Sequence, residues 1–126
     1  MMEEKMIKNF KKNSNKVQNE IECDFLTSLG NYKKYLSQWN GGTGMIGDNS
    51  FLNLWKVEDI VELNKEYEVK KYLTNVVLIG SDGADTAYGI NDQGEYIEVP
   101  FIGMDDDEIE VIAKNFEEFI QYLYLK

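Results

Sequence analysis

Two short runs, Thr86–Ile90 and Glu95–Val99, flank the four turn formers Asn91-Asp92-Gln93-Gly94, and Pro100, the only proline, closes the second run. Strand-length segments on either side of such turn chemistry predict an antiparallel hairpin. An antiparallel pair preceded and followed by helical patterns argues for α+β architecture rather than an alternating parallel sheet.

The helical patterns lie on both sides. Val17, Ile21, Phe25 and Leu29, with Leu26 beside them, line one face of a helix over Asn15–Leu29 that Gly30 stops. A shorter helix over Tyr32–Trp39, with Tyr35, Leu36 and Trp39 on one face, ends at Asn40-Gly41-Gly42, where glycine punctuation opens a loop through Ser50. Phe51–Trp55 reads as a strand, Val57–Tyr67 as a helix with Val57, Ile60, Val61 and Asn64 on one face, and Val76–Ile79 as a short buried strand. Glu108–Ile112 alternates acidic and apolar residues, as an edge strand or a helix entry would. Asn115 with Glu118 three residues on resembles a capping box for a closing helix whose stripe is Phe116, Phe119, Ile120 and Leu123. The first 14 residues form a tail or a short helix ahead of a domain over 15–126.

A chain of 126 residues is long enough for one domain to bury a core without a staple. Its single cysteine, Cys23, fits a reduced compartment, and no signal peptide or membrane span is visible, so the expected location is cytoplasmic. The chain has no histidine, and all thirteen of its basic residues are lysines. That removes Ser-His and Cys-His nucleophiles, histidine metal sites and bidentate arginine clamps, leaving carboxylates, tyrosines and lysines for any chemistry. The net charge of −10 is concentrated: residues 76–126 hold twelve acids and two lysines. Such a field repels nucleic acid and anionic membrane and attracts basic partners, although it also serves solubility.

Three motifs are weaker than they look. Gly42-Thr43-Gly44-Met45-Ile46-Gly47 spells GxGxxG, but it follows a helix and leads into a strand, the wrong context for a dinucleotide. Asp105-Asp106-Asp107-Glu108 lacks the spacing of a calcium loop and reads as a solvated acidic turn. Trp39 and Trp55, with eight tyrosines, lack the positive groove that base stacking needs, so core and protein-interface roles suit them better. No cofactor or metal is expected. A hydrolase built on two carboxylates would require paired acids in a concave pocket.

Four segments together resemble the SUKH superfamily of fungal cell-wall-assembly regulators and bacterial immunity proteins. They are Tyr32-Lys33-Lys34-Tyr35-Leu36 with Asn40-Gly41-Gly42, Leu54-Trp55 ahead of a helix ending near Asn64, Val77-Leu78-Ile79-Gly80-Ser81-Asp82-Gly83, and Ile112–Ile120. The chain departs from the family pattern where Leu29-Gly30-Asn31 replaces a Leu-Pro and Ala84 replaces a second glycine. The resemblance implies a single α+β domain with a mixed, largely antiparallel sheet flanked by helices, and no catalytic residues. It implies an immunity protein that neutralises a cognate toxin inside the producing bacterial cell, and many such toxins are nucleases. The alternative is a regulatory domain that docks on cellular proteins. On the first reading a basic toxin would meet the acidic run Asp105, Asp106, Asp107 and Glu108, with Asp82 and Asp85 as weaker candidates; neither nucleic acid nor membrane is an expected partner, and the oligomeric state is left open.

Overall fold

The hairpin lies inside a seven-stranded sheet, one strand from its edge. In the computed structural model, which describes residues 4–13, 32, 35 and 40–126, β5 (Thr86–Asn91) and β6 (Tyr96–Pro100) pair antiparallel, with Ile90 opposite Tyr96 and Thr86 opposite Pro100. Asn91 sets the turn, because its Oδ1 accepts from the amides of Gln93 and Glu95. An asparagine side chain that bonds the backbone two residues on is the mechanism by which such residues favour turns.

The remaining strands flank this pair in chain order. They are β1 (Phe10–Lys12), β2 (Gly42–Ile46), β3 (Ser50–Leu54) and β4 (Val76–Ser81) on one side, and β7 (Glu110–Ala113) on the other. Every strand pairing among the described residues is antiparallel, so the sheet is a meander rather than a mixed one. Four helices lie wholly within the described residues: α1 (Glu4–Ile7), α2 (Val57–Glu66), α3 (Val69–Tyr72) and α4 (Phe116–Tyr124). None of the helices among the described residues is long and apolar enough to cross a membrane.

The expected loop over Gly42–Ser50 is instead strand β2 and a turn at residues 47–49. Glycine is a poor strand former when judged locally, but here it permits close approach: a Cβ on Gly42 would stand 2.7 Å from the carbonyl oxygen of Lys11 in β1. The first residues, read as tail or short helix, contain the single turn α1 and the edge strand β1, whose Phe10 is buried. Glu108–Ile112 proves to be two things: a 3₁₀ turn over Asp106–Glu108, then β7, which pairs Glu110 with Glu98 and Val111 with Ile97. The helix expected over Asn15–Leu29, and Cys23, Leu36 and Trp39, lie outside the described residues. Tyr32 and Tyr35 are helical and buried.

Both faces of the sheet are covered, and Ala87, Tyr88, Gly89 and Ile90 are all buried along β5. On one face, the Phe119 ring of α4 stacks on Tyr96 at 5.1 Å between centroids and meets Tyr88 edge-on at 5.2 Å. Tyr35 packs on Phe116 at 4.7 Å, extending the same aromatic core. α4 begins at Asn115, whose Oδ1 accepts from the Glu118 amide at 2.9 Å. On the other face, Asn53 and Ser81 are strand partners and share a cleft with Leu63 and Tyr67, which places α2 opposite α4.

The junction between β3 and β4 is short, because only Asn53–Ser81 and Leu54–Gly80 pair. Beyond it the edge of β4 is bonded by other means. The Trp55 amide donates to Ile79 C=O, and the Asn64 side chain grips Leu78 twice, accepting from its N–H at 2.9 Å and donating to its C=O at 2.8 Å. Asn64 thus does for Leu78 what a neighbouring strand would do.

Two substitutions test this packing. Phe119, fully buried, should cost about 3–5 kcal/mol when changed to alanine, measured by chemical denaturation. Asn64→Ala should cost about 2–4 kcal/mol, since it strands a buried donor and a buried acceptor together; a loss below about 1 kcal/mol would mean that Leu78 finds other partners.

Candidate protein-binding surface

The buried tyrosines do not offer a base near neutral pH. Burial pushes the Tyr32, Tyr35, Tyr88 and Tyr96 phenols well above their ordinary value, with the charges of Asp82, Glu98 and Tyr122 adding to the effect at Tyr88. Tyr122 is pushed up to about 12, first by burial and then by Glu98, to which its hydroxyl donates at 2.7 Å. These rings are core residues with neutral hydroxyls. Glu98 and Glu110 face each other across β6 and β7, but Glu110 is exposed and Glu98 is engaged by Tyr122. Among the described residues no acidic cluster could hold a metal ion.

The candidate acids divide into those that hold the fold and those that do not. Asp82 Oδ1 accepts from the amides of Ala84 and Thr86, closing the β4–β5 turn. Gly83, at φ +81°, lets that turn fold onto β3, since a Cβ there would strike the Phe51 ring at 2.8 Å. Asp105 caps the 3₁₀ turn by accepting from the Asp107 amide. Asp106 binds Thr74 with both oxygens, taking the amide at 2.8 Å and the hydroxyl at 2.7 Å, and these bonds lower its pKa. The exposed side chains of Asp85, Asp107 and Glu108 make no hydrogen bond or ion pair among the described residues. The two acidic groups therefore sit on different connections. The Phe101 amide, bonded to Asp85 C=O, brings the start of the 101–109 link beside the 82–85 turn.

Three clefts are formed by described residues, and each contains one acid. One of about 420 Å³ lies between α2, α3 and the start of β4, lined by Val61, Val69, Val76 and Val77 with Lys65, Lys70 and Lys71. A polar one includes Lys8, Asp48 and Tyr124. The third, about 410 Å³, gathers Trp55, Leu63, Tyr67, Phe101 and Ile102 around Asp85. Trp55 and Tyr67 stack at 6.5 Å, and Tyr67 meets Phe101 at 5.0 Å. Ile102 is 90% exposed and Tyr67 43%. Large apolar side chains beside an unbonded carboxylate have the make-up of a protein interface, an apolar centre with a charged edge.

The corner that carries Trp55 is built by Asn40. Its Oδ1 accepts from the Val57 amide at 2.7 Å, capping α2 from outside the helix, and its Nδ2 donates to the Glu58 carboxylate. Lys56, at the N-cap itself, makes no side-chain cap bond. Asn40 therefore fixes the angle between β3 and α2, and with it the mouth of the cleft. The core reading of Trp55 holds, since the ring is buried, whereas the sequence marks Asn40 only as a helix stop and singles out none of Tyr67, Phe101 and Ile102. The visible signal was Phe101-Ile102 itself, an apolar pair placed just before an acidic run.

A family model described as the SMI1/KNR4 family (SUKH-1) matches residues 15–122. Curated proteins yield no match to this chain.

The Asp106–Thr74 contact gives a pH signature. The folded pKa of Asp106 lies below its usual value, so its contribution is present above the ordinary carboxylate range and is lost as pH falls through the folded pKa. The urea midpoint of wild type should exceed that of Asp106→Ala at neutral pH, and the gap should narrow on acidification. A gap that is constant or widens in acid would count against the contact.

Proposed function

Since the chain belongs to the SMI1/KNR4 family (SUKH-1), we propose that it is an immunity protein, a non-catalytic binder that neutralises a cognate toxin in the cytoplasm of the bacterium that makes both. The observation that carries this reading is the juxtaposition of exposed Tyr67 and Ile102 with the unbonded carboxylate of Asp85. This is the make-up of a surface meant for another protein. The acidity of residues 76–126 supports a basic partner.

Within the acidic set the roles differ. Asp85, Asp107 and Glu108 are the acids free to attract a partner, while Asp82, Asp105 and Asp106 hold the loops that present them. Long-range attraction of this kind raises the rate of encounter, and the apolar centre governs how long the complex lasts.

The test starts from the product of a neighbouring toxin gene. Co-expression should relieve its toxicity, and the two purified proteins should form a stable complex. Changing Asp85 and Asp107 to Asn and Glu108 to Gln should slow association several-fold at low salt, with the difference shrinking as salt rises. Failure to bind or protect against any neighbouring toxin would favour the regulatory docking domain instead. Equal association rates for wild type and variant would make the free acids a solubility feature.

A further inference from the structure

The cleft beside β4 and the cleft at Trp55 are similar in size but differ in the sign of the charge around them. The cleft beside β4 is edged by three lysines, Lys65, Lys70 and Lys71, against the single acid Glu68, which pairs with Lys71 at 3.7 Å, so on balance it disfavours a cation. The cleft at Trp55 has no lysine in its lining, and its one charged residue is Asp85. Asp59 and Glu66 stand four residues before and three after Leu63 on α2, so they flank the same side of that helix. Lys56, next to Trp55 in the chain, is the nearby opposing charge and is exposed outside the lining.

The walls suit a cation as well as the rim does. The exposed Tyr67 and half-buried Phe101 rings, 5.0 Å apart, are backed by the buried Trp55 stacked on Tyr67 at 6.5 Å, and aromatic faces attract ammonium and guanidinium groups. Leu63 and the exposed Ile102 supply apolar contact for an aliphatic stem. The Asp85 carboxylate makes no hydrogen bond or ion pair among the described residues, so an incoming cation displaces none of these.

We propose that the cleft formed by Trp55, Tyr67, Phe101 and Ile102 receives one arginine or lysine side chain projecting from the protein partner, its stem on the aromatic wall and its charge against Asp85. This assignment rests on the toxin-binding reading for its partner and not for its chemistry, which can be tested without one.

The probe is N-acetyl-arginine amide, titrated into the ¹⁵N-labelled full chain, with N-acetyl-norleucine amide as the uncharged control of similar stem. Arginine amide should shift the backbone resonances of Tyr67, Ala84, Asp85, Phe101 and Ile102 and the Trp55 indole, and norleucine amide should shift them several-fold less. Asp85→Lys, whose side chain takes no part in the fold, should abolish the arginine response. Equal responses to the two probes, or no localised response to arginine, would overturn the assignment. With a neutralised toxin in hand, Tyr67→Ala should weaken the complex about 30-fold, the scale of a central aromatic contact, and Tyr67→Phe should restore most of it. A toxin held equally by wild type, Asp85→Lys and Tyr67→Ala would leave the immunity reading standing and refute this one. A chain that binds no toxin yet passes the amide titration would do the reverse.

Discussion

The continuity of the sheet depends on how the backbone of β4 is satisfied where β3 ends. Two residue pairs join the strands, and beyond them the N–H and C=O of the fully buried Leu78 would face the interior without a strand to meet them. Asn64 meets both, and its amide also donates to Ile60 C=O within its own helix. One side chain therefore completes a strand edge and fixes the helix against it. An unpaired buried backbone group costs about 1–3 kcal/mol, so this bond set outweighs most single surface contacts. The placement of α2 then decides where Leu63 and Tyr67 stand, and so whether a cleft exists at Trp55.

What was legible in the sequence was what local chemistry determines. Asn91 and Gly94 announce the hairpin, and Asn115 with the spacing of Phe119, Ile120 and Leu123 announces α4, because caps and turns are set by residues two to four positions apart. β2 was not legible: Gly42 and Gly44 disfavour a strand when read alone, and the reason for them is the β1 backbone, some thirty residues away in the chain. β1, three residues long, carries too short a pattern to register.

The site divides the same way. Acidity is a sum over the sequence and could be read directly, but which acids are free is a matter of partners. Asp106 is held by Thr74, 32 residues distant, and Asp82 by its own turn. The aromatic wall joins the residue after β3, the C-cap of α2 and the link after β6, and no short window of sequence contains all three. Asn40 and Asn64, the residues that position the cleft, looked from the sequence like a helix terminator and one member of a helix face. Both proved to be hydrogen-bonding residues that replace missing backbone partners.

The meander has a kinetic consequence. Strands adjacent in the sheet are also adjacent in the chain, so most of the ladder closes short loops at small entropic cost and belongs to topologies that fold quickly. The exceptions are β1 with β2, the short β3–β4 junction, and the bonds from Asn49 and Ser50 to Lys126 and Leu123, which span 77 and 73 residues. This topology predicts that the β4–β7 unit assembles ahead of its junction with β3. Substitutions in the β5–β6 hairpin would then slow folding, and those at Asn64 or Ser50 would chiefly hasten unfolding, a contrast that the two arms of a chevron would display.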